Sequence, residues 1–438
     1  MSQPVQITGI AWDHSRAFPP LVATAQRYEE THPGVRIHWQ KRTLDEFGHR
    51  PVDQFALKFD LIVIDHPWAG FAFEKNLVRD LKSLAPVFAL GELEKNSVGQ
   101  TFNSYLYNGK LLALPIDAAA PAPSWRPDLL ERAGLSAPAT WTEAVALARR
   151  QLAVIPAFNA DLFLHFLMLV KALGAEPCAD SEKIAARENM QHAVDLLREL
   201  TEPMPREIFD WNPIQVAEHM TATDDFAWNA FAYTYNNYAR AGFAHARLRF
   251  GNLISLKEKS PRLRSVLGGA GIAISSNCKN IEPALDYARF VADGETQKNI
   301  YVHAGGQPSH CAAWNDKFAD GLCGGFFSGT KIAQEEAFIR PRYSGYVPLQ
   351  THGGNVLQEI LRDGRDAKIM LEKLDMLYRE SRQGAHAPRV RPTAPRGRKQ
   401  RAPTRVETGA VARSLRLTRR QPPHARRVRS LSRQKNSQ

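Results

Sequence analysis

Apolar runs of the length a bilayer demands are missing. No stretch of about 18 consecutive apolar residues occurs in the 438, so no segment reads as a membrane-spanning helix. Cysteine is scarce: Cys178, Cys278, Cys311 and Cys323 are the only four. None stands in a CxxC pair or at zinc-ligand spacing, which removes zinc ribbons and dithiol redox motifs from consideration. They read as free, partly buried thiols, with a Cys311–Cys323 bridge as the alternative in an oxidising compartment. GxxxxGK[ST], HExxH and GxSxG are absent. The cluster Gly268-Gly269-Ala270-Gly271 lacks GxGxxG spacing and sits far from the first βα unit, so it is no dinucleotide fingerprint. No nucleophile stands with an evident base. These absences point away from an enzyme, and no cofactor is expected. The start, MSQPVQITGIAW, shows no basic n-region and no apolar h-region, so no export signal is expected in the chain as it stands.

Acidic residues are nearly missing from one region. Residues 383–438 hold 16 Lys or Arg against the single acid Glu407, a net +15. The whole chain is +12, so everything before that segment is −3. The body therefore shows no nucleic-acid signature, and no nucleic-acid partner is expected for it. The segment is rich in Arg, Pro, Ser and Thr and has little aliphatic periodicity. It lacks the apolar area needed to offset ordering entropy, so 383–438 reads as a disordered basic tail. An arginine-rich arm for nucleic acid or membrane surfaces is the functional alternative to an extension without a role.

What is present is an α/β rhythm. Val5–Trp12 reads as a strand, Pro19–Glu30 as a helix stopped by His32-Pro33-Gly34, and Val35–Trp39 as a second strand. Phe59–Ile64 follows as a third strand, and Phe71–Val78 as a helix. Near-continuous apolar strands alternating with helices predict a mostly parallel sheet covered on both faces. Further on, Thr140 followed by Glu143 has capping-box spacing, and GGAGIAIS reads as a strand. Asp225–Tyr238 is aromatic and apolar, and Asn355–Arg382 carries the last helical pattern. The length calls for two lobes rather than one core.

Three segments in order resemble a known family. They are YLYNGKLLALPIDAAAPAPSWRPDLLERAGLSAPATWTEAVALARR, then GGAGIAISSNCKNIEPALDYARFVADGETQKNIYVHAGGQPSH, then RPRYSGYVPLQ. Together they resemble the extracellular solute-binding proteins of carbohydrate-type ABC transporters (family 1 periplasmic binding proteins). The resemblance implies an α/β, two-lobe periplasmic-binding-protein type II fold, with mostly parallel sheets, flanking helices and a strand-crossover hinge. It implies lobe one at residues 1–115 and 266–308, and lobe two at 116–265 and 309–382. The crossovers then fall near LPID and LGGAG. It also implies non-enzymatic binding of a small polar solute, sugar-like or otherwise hydroxylated or cationic, by a monomer that serves ABC-transporter permease subunits. Its location would be the periplasm. The missing leader keeps a cytosolic ligand sensor of the same fold as an alternative. A metal-binding protein built on the Asp-His pairs is a further one.

In open α/β sheets, ligands sit beyond the carboxyl ends of the strands. The first strand ends in Trp12-Asp13-His14, the third in Asp65-His66-Pro67-Trp68, and the hinge strand at Asp117. Acids and imidazoles are costly to bury unpaired, so these ends predict a polar ligand, and an indole face suits a sugar or a cation. The candidate set is Asp13, His14, Asp65, His66, Trp68 and Asp117. To it are added Trp228, Tyr235, Asn236 and Tyr238 from the facing lobe, and Gly269 where strands cross closely. No metal site is expected under this reading.

Overall fold

The run VQITGIAW forms β1 (Val5–Trp12), which buries Ile7, Ile10, Ala11 and Trp12. The helix Phe18–Thr31 leads back to β2 (Val35–Arg42), parallel to β1 along its length. The all-aliphatic LIVI is β3 (Leu61–Ile64), buried at every position and parallel to β1 on its other side. A short hairpin pairs β4 (Leu106–Tyr107) with β5 (Lys110–Leu111). Then come β6 (Leu114–Ala119), β7 (Pro121–Trp125), β8 (Ala153–Val154), β9 (Trp228–Tyr233), β10 (Arg249–Phe250) and β11 (Gly268–Ile274). This architecture is that of a computed structural model, which describes residues 3–84 and 87–383. The basic tail expected from 383 lies outside the described residues from 384 onward.

Two main sheets result, ordered β2-β1-β3-β11-β6 and β10-β7-β9-β8. They are mixed, which corrects the mostly parallel arrangement read from the sequence. β11 runs antiparallel to both β3 and β6, and β7 antiparallel to β9 and β10. The βαβ rhythm governs β1 to β3, whereas β6 and β11 do not arrive through a flanking helix of the same sheet. That removes the constraint that makes neighbours parallel.

The chain leaves the first sheet for the second at Ala120, between β6 and β7. Later segments pass beside that point and are tied there by hydrogen bonds. Ser265 donates its hydroxyl to the Pro121 carbonyl at 2.6 Å. The Leu267 N–H donates to Phe338 O at 2.7 Å. Gln307 donates its side-chain amide to Ala118 O at 2.6 Å.

Helices flank both sheets. Thr140 caps the helix Trp141–Arg149, with both halves of the capping box formed by Glu143, as its spacing predicts. The helix Asn159–Ala172 is buried nearly all round and packs on the helix Tyr346–Leu361. A Cβ at Gly354 would lie 1.8 Å from the Asn159 carbonyl oxygen, so the two helices approach this closely only over glycine. β9 ends at Tyr233, short of the end of the aromatic and apolar stretch Asp225–Tyr238. Asn236–Ala239 instead forms a 3₁₀ turn, because the Asn236 N–H and side-chain amide donate to Gln307 and Gly306 rather than to a strand. All four cysteines are free thiols. Among the described residues no helix is long and apolar enough to cross a membrane.

Candidate functional site

The strands β1, β3 and β9 end around one cavity of about 200 Å³, well over ten times the room a single water needs. Trp12 closes β1, Asp65 follows β3, and Tyr233 and Tyr235 come at and just after the end of β9. Gly269 of β11 completes this side. The helix Leu44–His49 adds Leu44, Phe47 and His49. It starts there because Thr43 and Glu46 form a second capping box. Phe158 and Asp161 enter from the start of the helix Asn159–Ala172, and the His49 and Phe158 rings stand 6.2 Å apart. Trp12 stacks on Phe47 at 4.6 Å.

Two buried arginines hold this geometry. The Arg16 guanidinium donates to both Asp117 oxygens, Nε to Oδ2 at 2.9 Å, and to Thr234 O at 2.9 Å. It also lies over the Tyr235 ring, 4.6 Å from the centroid. Arg340 forks onto Asp65 at 2.6 and 2.8 Å, donates to Leu267 O at 3.0 Å, and reaches Gln350 Oε1 at 3.3 Å. Each arginine thus joins the first sheet to a segment of the second half of the molecule. Two-bond guanidinium–carboxylate pairs are among the strongest side-chain contacts available.

Burial sets the electrostatics. It pushes the Asp65 carboxyl up, but Arg340 and the neighbouring His66 outweigh it and hold Asp65 at about 2. Burial acts on both members of the other pair: it lifts Asp117 against the pull of Arg16, and Asp117 in turn overcomes burial to drive Arg16 upward. The two hydrogen bonds from Arg16 favour the ionic form of the pair. Burial, then Arg16, lowers the His14 ring to about 4, and burial lifts the Tyr235 hydroxyl to about 12. Asp161 differs from all of these. Burial pushes its carboxyl up to about 8, and the opposing field of Arg340 does not restore it. A native pKa above the unfolded value of 3.8 means that the fold loses stability as pH rises from about 4 through 8. Asp161→Asn should therefore match the parent in melting temperature near pH 4 and exceed it by a few degrees at pH 8. Equal melting curves at both pH values would show that Asp161 is solvated.

Of the residues named from sequence, Asp65, Tyr235 and Gly269 line the cavity. Asp117 stands behind it as the partner of Arg16, and His14 packs its ring edge on Tyr235 at 4.6 Å. The others lie outside the lining. Asp13 is at the surface, paired with Lys41 at 2.9 Å. His66 is buried, with its Nδ1 3.4 Å from Asp65. Trp68 packs on Phe71, and Trp228 is sealed in β9. Asn236 holds Gly306, and Tyr238 donates to Glu218 at 2.7 Å.

The two Asp-His dipeptides do not converge: Asp13 goes to Lys41, whereas Asp65 goes to Arg340. Among the described residues no group of three or more His, Cys, Asp or Glu is arranged to hold a metal ion. Sequence reasoning missed Arg16, Arg340, Tyr233 and Asp161. Tyr233 was recoverable, since it shares the two-residue period of Tyr235. The RPR of RPRYSGYVPLQ offered a weak pointer to Arg340.

Gly269 has φ +106°, and a Cβ there would sit 2.2 Å from the Asp117 carbonyl oxygen. Gly269→Ala should destabilise by about 2 kcal/mol or more in urea unfolding. A loss under about 0.5 kcal/mol would show that the crossing strands yield.

A body of two sheets, with a cavity of aromatic rings and charged groups at their crossover, defines a binder of small solutes. The profile of the family described as bacterial extracellular solute-binding protein matches residues 23–318, more than half of the chain, and the chain belongs to that family. No curated protein matches it. Solved structures share the fold. Maltose-bound MalE3 of T. maritima is 17% identical, with 86% of this chain and 99% of that one covered and a TM-score of 0.74. A ribitol complex of an ABC transporter solute-binding protein from Agrobacterium radiobacter K84 is 16% identical, with 86% and 99% covered and a TM-score of 0.72. A tagatose-bound one from Thermotoga lettingae TMO is 17% identical, with 86% and 100% covered and a TM-score of 0.71.

Proposed function

We propose that this protein binds a small hydroxylated or cationic solute, of the sugar or polyol kind, and delivers it to the permease subunits of an ABC importer without chemical change. The carrying observation is the cavity where the sheets cross, with Trp12, Tyr233, Tyr235 and Phe158 beside Asp65, Asp161 and Arg340. Ring faces suit the C–H faces of sugars, and carboxylates and amides suit hydroxyls. The solved structures described above with maltose, ribitol and tagatose support that class of solute.

In this reading lobe one is residues 1–115 with 266–308, and lobe two is 116–265 with 309–382. The lobes close on the solute about the crossover. In this reading the protein works as a monomer outside the cytoplasm, a location that the extracellular description of its family supports. Asp65, Tyr235 and Gly269 are the sequence-named residues proposed to meet the solute.

A native-state ligand raises the melting temperature by mass action. A thermal-shift screen of mono- and disaccharides, polyols and amino sugars should give a concentration-dependent rise that Tyr235→Ala abolishes. No shift anywhere in the screen would overturn the proposal.

A further inference from the structure

Among the described residues every charged group of the cavity wall has an ion-pair partner except one. Arg16 is matched by Asp117 and Arg340 by Asp65. Asp45 stands 3.1 Å from His49 and 3.9 Å from Arg50. Asp161 lines the same cavity. Among the described residues its carboxylate joins no ion pair and accepts no side-chain or capping hydrogen bond. It lies in the first turn of the helix Asn159–Ala172, with Phe158, Tyr233 and Asn212 lining the cavity beside it.

A solute that fills the cavity completes the removal of Asp161 from solvent. Against a neutral solute Asp161 must either keep its proton or stand as a buried, uncompensated charge, and the ionised form is then among the costliest arrangements in a protein. Hydroxyl groups offer hydrogen bonds but no charge. An ammonium offers both, and aromatic faces such as Phe158 and Tyr233 favour a cation. The arginines do not serve instead, because each is already neutralised. Gln350 gives its carbonyl to Arg340 and keeps its amide N–H groups for a hydroxyl.

We infer that the solute carries one positive charge, as an amino sugar or amino polyol does, and that Asp161 is its counter-ion. This rests on the solute-binding reading above and names the class of solute. The lifted carboxyl of Asp161 agrees, because a group destabilised as an anion is one that a bound cation restores.

Isothermal titration of the full chain with matched pairs tests it: glucose and glucosamine, galactose and galactosamine, mannose and mannosamine, ribitol and 1-amino-1-deoxyribitol. The amino member of at least one pair should bind roughly tenfold or more tightly than its neutral partner. Asp161→Asn should erase that difference, and Asp161→Glu should retain part of it. The thermal transition of each variant reports that it is folded. A neutral member binding as tightly as its amino partner, or a preference that survives in D161N, overturns the charge assignment and leaves solute binding standing. Binding of no member of any pair overturns the charge assignment, while the solute-binding reading stands or falls with the wider thermal-shift screen.

Discussion

Arg340→Met should lower the unfolding free energy by about 3–5 kcal/mol, the usual result of removing one partner from a buried ion pair. Arg340 is 3% exposed and makes both hydrogen bonds to Asp65, one to the Leu267 carbonyl and one to Gln350. Methionine keeps the length of the side chain but leaves Asp65 as a desolvated anion. The loss should depend on pH in a definite direction. Asp65 titrates at about 2 when folded, below its ordinary 3.8. Its contribution is therefore present above about 4 and lost as pH falls through 2. Parent and variant should differ most at neutral pH and converge in acid. Adding Asp65→Leu should recover much of the stability, since no unpaired charge then remains. Urea unfolding of the three proteins at pH 7 and pH 3 checks this. A loss below about 1 kcal/mol for R340M would mean that Asp65 is solvated through the cavity.

Asp117→Asn is the second large effect. Asp117 is 1% exposed and receives two bonds from Arg16, which also fixes the Tyr235 ring and the Thr234 carbonyl. Asparagine leaves Arg16 a buried cation without a counter-charge, so about 3 kcal/mol or more should be lost. The pair should also couple: a double-mutant cycle with Arg16→Met should give an interaction energy of about 2–3 kcal/mol. Tyr235 loses its clamp, so solute-induced thermal shifts should shrink or vanish even where D117N remains folded. Additive single effects together with an unchanged ligand shift would remove the clamp from the account.

Local structure was legible because its causes are local. Thr140 and Glu143 announce a capped helix at a fixed spacing, and the capped helix is there. VQITGIAW, LIVI and GGAGIAI read as strands and are strands. The strand-end rule pointed to the region where the cavity lies, since Trp12, Asp65 and Tyr235 all line it. It erred on which side chain at each end turns inward. At the end of β1, Asp13 faces Lys41 in solvent while Arg16, three residues on, is buried. At the end of β3, Asp65 meets the cavity while His66 and Trp68 are packed away. A fully apolar strand such as LIVI carries no alternation from which the facing of the next residues could be read.

The sequence by itself determined the elements, their α/β order and three family-like segments, because periodicity, capping and turn chemistry act over a few residues. Only the tertiary structure decided that β11 runs antiparallel between β3 and β6. It alone decided that Arg16 and Arg340 meet acids 101 and 275 residues away, and that among the described residues Asp161 has no ion-pair partner. Charge pairing across such separations depends on where the crossover brings distant segments together. No local pattern records that.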